Sequence, residues 1–184
     1  MNCQHFLSVL YRCAAILTLC SMSSAWAGGN GVLTVTAKII SSTCSVGING
    51  KSSAVVSLPD ISTGDFKNTS DALNRTPFSI DISNCSDVAQ GALKVIVTRP
   101  AEGTTAGSVP AITGGAKDSI EFRIFNVTGK SPAWGFTGRT AEFIVPDLIN
   151  GNISLPYTVG YQAKKVPVNA GTISSNLTVS LSYK

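Results

Sequence analysis

Side chains able to attack, ligate or shuttle protons are few in this 184-residue chain, and they are unevenly placed. Cys3, Cys13, Cys20 and the single histidine, His5, crowd the beginning, which leaves Cys44 and Cys85 alone in the remainder. A carboxylate pair such as Asp118 and Glu121 has the residue types for two-carboxylate hydrolysis. Three positions apart on a strand, however, the two fall on opposite faces. No glycine-rich phosphate loop follows any β-rich run. The chemistry on offer is therefore thin, and the elements that surround it carry more information.

The opening residues explain part of that thinness. Phe6 to Val9 and Ala14 to Leu19 are apolar, Arg12 flanks them, and small residues close the stretch in Ala25-Trp26-Ala27. This pattern predicts a secretory leader over residues 1–27, cut after Ala27. Arg12 interrupts the apolar run, which falls short of the ~20 apolar residues a membrane span needs. Once the leader is gone no histidine remains, so a Ser-His-Asp triad, a Cys-His pair and any histidine-based metal site are excluded. No enzymatic activity, cofactor, metal or small-molecule substrate is expected. Cys44 and Cys85 are an even pair in an oxidising compartment, which predicts one disulfide. Their distance in sequence and the lack of a C-x-x-C context make it structural rather than redox-active. Loss of Arg12 leaves thirteen basic against ten acidic residues, and the two signs are scattered. No basic stripe for nucleic acid is present.

Helical periodicity is nearly absent, and short β-rich runs recur with turn residues between them. The predicted strands are Val32 to Val46, Ala54 to Leu58, Phe78 to Ile82, Ala92 to Thr98, Ser119 to Val127, Thr140 to Val145, Leu155 to Ala163 and Thr172 to Tyr183. Asn49-Gly50 and Asn150-Gly151 are strong hairpin signals. Several strands at this spacing, with a disulfide from an early strand to a middle one, predict an all-β, immunoglobulin-like sandwich. It departs from the antibody pattern, because Trp134 lies beyond both cysteines instead of between them. The two ends of the chain stand out. Leu33, Val35, Ala37 and Ile39 alternate near one, and Ile173, Leu177, Val179, Leu181 and Tyr183 near the other, each set lining one face of a strand.

Taken in order, the leader, the alternating segment Val32 to Ile40, the pair Cys44 and Cys85, and the run from Gly171 to a penultimate Tyr183 resemble the pilin subunits of chaperone-usher fimbriae, of the type 1 and P pilus kind. The resemblance implies an incomplete immunoglobulin-like sandwich lacking its last strand, with an N-terminal donor-strand extension over residues 28–43 and a pilin domain over residues 44–184. It implies a structural subunit that polymerises by donor-strand exchange and supports adhesion to surfaces. Export through the periplasm to the fimbrium on the cell surface goes with it. The implied partners are a periplasmic fimbrial chaperone, an outer-membrane usher and neighbouring pilin subunits. Leu33, Val35, Ala37 and Ile39 match the donor strand. Gly171, Leu177, Val179, Leu181 and Tyr183 match the C-terminal strand that meets a chaperone, with the carboxylate of Lys184 expected to anchor there. Ala37 departs from the family, whose members commonly carry glycine at that place.

Two other readings stand beside this one. The alternation at Leu33 to Ile39 suits an ordinary first strand that pairs within its own domain, which would make the chain a self-contained secreted immunoglobulin-like binding domain or a one-domain adhesin. Trp134, with Phe136 and Arg139 nearby, suits either an exposed contact for a glycan or neighbouring subunit, or an aromatic buried beneath a loop.

Overall fold

The computed structural model describes residues 31–38, 44–69, 72–85, 91–127 and 133–183. The expected leader, residues 28–30 of the expected extension, Ile39 and Lys184 lie outside the described residues.

Among the described residues ten strands follow in chain order: β1 (Gly31–Lys38), β2 (Ser45–Ile48), β3 (Ser53–Leu58), β4 (Ala72–Ser83), β5 (Leu93–Thr98), β6 (Ser108–Pro110), β7 (Ile120–Asn126), β8 (Thr140–Ile144), β9 (Ile153–Ala163) and β10 (Ile173–Tyr183). They form two five-stranded sheets, ordered β3-β1-β10-β5-β8 and β2-β4-β9-β7-β6. The inner faces pack through alternate residues, as period-two patterning requires. Val95 and Val97 of β5 and Leu177 and Val179 of β10 meet Ile80 and Ile82 of β4, Phe122 and Ile124 of β7 and Tyr161 of β9 in one core.

Both Asn-Gly turns form, with Asn49 and Asn150 at positive φ and Gly50 and Gly151 following them. Neither joins neighbouring strands of one sheet. Each closes on an isolated bridge, Ile48 with Lys51 and Ile149 with Asn152, and the chain then crosses to the other sheet. The predicted run Val32 to Val46 is two strands in different sheets. Cys44, just before β2, is bonded to Cys85, just after β4, with 4.2 Å between their Cα atoms.

Trp134 is buried at 5% exposure. Its ring meets Phe78, Phe136 and Tyr157 edge-on and stacks on Phe143 at 6.1 Å. It closes the sandwich beside β8, so the exposed-contact reading of this side chain does not hold. A second anchor is polar. The Arg99 guanidinium is buried over the Phe136 ring at 4.6 Å and donates to the carbonyls of Gly138, Thr105 and Ser108. Burial lowers its pKa, and Glu102 and Glu121 oppose that shift.

Candidate functional site

The first sheet is continuous only because of β1. On one side β1 pairs with β10 in parallel, Gly31 opposite Ile173 through Lys38 opposite Ser180. On the other it pairs antiparallel with β3, Gly31 opposite Leu58 through Thr36 opposite Ser53. Among the described residues no other strand joins β3 to β10. Without β1 both would present rows of unpaired N–H and C=O groups, an arrangement that invites another strand.

The register decides which residues share a face. In β10, Ile173, Ser175, Leu177, Val179 and Leu181 are buried, and in β3 Val56 and Leu58 are buried while Val55 is exposed. Leu33 stands opposite Ser175 and Val56, Val35 opposite Leu177 and Ala54, and Ala37 opposite Val179. These three donor-strand candidates thus share register rows with Ser175, Leu177 and Val179, which are buried, whereas half-buried Thr34 stands in the row of exposed Asn176 and Val55. Tyr183, expected on the same apolar face, is 39% exposed at the end of β10 opposite Leu93.

The pairing differs from an open groove, because the slot is filled from within. The direction of β1 follows from its attachment. Five residues separate Lys38 from Cys44, which the disulfide holds at the end of the second sheet. Six residue steps span at most ~22 Å, so the C-terminal end of β1 stays near that end of the molecule. The strand therefore runs parallel to β10, while every other described ladder is antiparallel.

At the opposite end of the slot lies a cavity of about 200 Å³, lined in part by Ile61, Phe66, Ile120, Tyr161 and Ile173. β1 meets this end with Gly31, which has no side chain to offer. Gly171 sits on the cavity wall at φ +139°, and a Cβ there would stand 3.1 Å from the Gly115 Cα, a position suited to glycine.

The residues considered for carboxylate chemistry are not brought together. Asp118 is exposed, and its pKa is lowered by the Lys117 hydrogen bond and charge, with Lys164 and Lys165 adding to the effect. Glu121 is buried in β7, where it accepts from the backbone N–H and hydroxyl of Thr104. Among the described residues no group of His, Cys, Asp and Glu is placed to hold a metal ion, and no helix is long and apolar enough to cross a membrane. The cavity, the role of Arg99 and the short strand β6 have no counterpart in the sequence reading.

A two-sheet sandwich whose one sheet is completed by a terminal segment defines a class of β-domain suited to strand addition. A family model described as fimbrial protein matches residues 33–184, and the chain belongs to that family. It is 26% identical over 167 residues to the F17 fimbrial protein of Escherichia coli, covering 88% of this chain and 92% of that protein. Among solved structures it is similar to a Burkholderia pseudomallei antigen and type I fimbria protein, at 13% identity and TM-score 0.44, over 83% of this chain and 94% of the other. It is also similar to the CupB6 tip adhesin of Pseudomonas aeruginosa, at 11% identity and TM-score 0.43, over 82% of this chain and 40% of that one. As a fimbrial subunit it associates with other pilin subunits in a surface appendage.

Proposed function

We propose that this chain is exported with loss of residues 1–27, carries a donor strand within residues 28–43, and polymerises by lending that strand to the slot of another copy. A periplasmic chaperone and an outer-membrane usher handle it on the way. The observation that carries this reading is the slot between β3 and β10, completed by β1, the first described strand.

The unfilled cavity supports the exchange. Reversing the strand about Val35, so that it runs antiparallel to β10, keeps Val35 opposite Leu177. Leu33 then comes opposite Val179 and Ala37 opposite Ser175, and Ile39 enters the row of Ile173 beside the cavity. The parallel strand offers Gly31 in that row. The antiparallel strand therefore puts a large side chain, worth about 1.5 to 3 kcal/mol when buried, in the row where the parallel strand has none. Its tether forbids the reversed strand from entering its own domain, so a second copy must supply it. Ala37 adds only a methyl group where Ser175 leaves room for a small residue.

A second reading is favoured by β1 itself, which completes the sheet without help and would suit a self-contained binding domain. The two are separated by adding a peptide copying Gly31 to Ser42 to the mature protein. Uptake of the peptide with a rise in melting temperature, together with polymers that survive SDS without boiling, is expected of the subunit. A monomer that ignores the peptide and never polymerises supports the autonomous domain.

A further inference from the structure

If strands are exchanged as proposed above, the ends of two copies must come close, and the structure indicates what meets there. The incoming strand ends beside Ile173 of the acceptor, and about 22 Å of chain at most separates its Lys38 from its own Cys44. The acceptor's Ile173 end therefore faces the donor's disulfide end.

At the disulfide end the turn between β8 and β9 protrudes. Ile149 is 77% exposed at its tip, Asp147 is exposed beside it, and the turn is closed by the backbone hydrogen bonds of 2.9 and 3.0 Å that Ile149 and Asn152 exchange. The turn is fixed to the disulfide by a 3.1 Å bond from the Cys85 N–H to the Gly151 carbonyl. Its position is thus set by the same bond that sets where the donor strand leaves the domain.

The Ile173 end offers the complement. Between β9 and β10 the chain exposes Lys165, Val166 at 45% and Pro167. Lys164 donates to the Lys117 carbonyl, which draws this loop toward Lys117. The three lysines together act on the single Asp118 and lower its pKa. An apolar residue beside a surplus of positive charge suits a tip carrying isoleucine and aspartate.

We propose that the Asp147–Ile149 tip of one copy seats on the Lys164–Pro167 loop of the next, with Ile149 against Val166 and Asp147 among the lysines. The partner is a second copy of this chain, joined head to tail, an arrangement that propagates without closing. It fixes how consecutive subunits are turned about the fibre axis.

The test uses the full mature chain with Asp147→Lys and Ile149→Ser combined, with Lys165→Glu alone, and with all three together, alongside uptake of the Gly31–Ser42 peptide. The peptide reaches the slot but carries no tip. The expected result is peptide uptake within about twofold of the parent for every variant, with polymer yield reduced about tenfold or more in the first variant. The single variant also loses yield, and the triple variant recovers part of it through the reversed charge pair. Parent-like polymer from the first variant overturns the contact, as does loss of peptide uptake in step with polymer. A parent chain that takes up no peptide and forms no polymer removes the strand-exchange reading and this contact with it.

Discussion

The guanidinium of Arg99 donates twice to the Gly138 carbonyl, from Nε at 3.1 Å and Nη2 at 2.7 Å, and so ties the exit of β5 to the turn before β8. Nη1 completes the set on the carbonyls of Ser108 at 2.6 Å and Thr105 at 3.2 Å. Two segments, the β5–β6 connection with the start of β6 and the turn before β8, thus share one buried donor. Arg99→Met keeps the apolar stem and leaves those carbonyls without a partner, and is expected to cost about 2 to 4 kcal/mol in urea denaturation. Arg99→Lys recovers only part, because an ammonium lacks the planar fork. A loss below about 0.5 kcal/mol, the range of ordinary surface changes, would show that water satisfies the loops as well as Arg99 does.

Gly171 is expected to resist replacement for a reason local to the cavity wall. Gly171→Ala places a methyl group 3.1 Å from the Gly115 Cα at a φ of +139°, so both strain and crowding apply. The expected cost is on the order of 1 to 3 kcal/mol, read as a lowered melting temperature. An unchanged melting temperature would mean that the 114–116 loop moves aside freely.

Val35 occupies the middle row of the slot opposite Leu177, and the proposed reversal leaves it there. Val35→Asp is expected to weaken both the self-filled and the exchanged state, because a carboxylate in an apolar row must be desolvated or protonated. Limited proteolysis should then cut the chain before Cys44 well ahead of the parent protein. Equal resistance to cleavage would remove Val35 from the core-facing set.

Tyr157 predicts an alkaline limit. Burial raises its pKa above 10.0, with the Trp134 indole acting in the opposite sense. The unfolded chain loses the phenolic proton first, so stability is intact below pH 10, the ordinary tyrosine pKa, and falls as pH rises through the higher folded value. Tyr157→Phe should flatten that fall in denaturation curves taken on either side of pH 10. Parallel decline in the two proteins would place the alkaline sensitivity elsewhere.

Alternation made much of this architecture legible. β5, β7, β9 and β10 lie where Val, Ile and aromatic residues recur at period two, and Cys44 and Cys85 are the pair left once the expected leader is set aside. What escaped was set by tertiary geometry. Val32 to Val46 reads as one strand because nothing local marks the crossing between sheets, and β6 is too short to show a period. The Asn-Gly pairs announced tight turns, but which sheet the chain enters next depends on packing far from the turn. At the site, the alternation of Leu33, Val35 and Ala37 was visible, while the direction of that strand was not, since it depends on where the disulfide fixes the chain.

The parallel seat of β1 also bears on timing. Eight register pairs to β10 and six to β3 hold the strand, and an invading strand needs the same edges. If subunits join by the strand exchange proposed above, vacating the slot is a unimolecular event that precedes each joining. At low subunit concentration growth should follow encounter frequency. Once encounters outpace strand departure, the rate should level off and cease to respond to more protein. Such a chain keeps its own clock, and heating by a few degrees should advance that clock more than a tenfold rise in concentration.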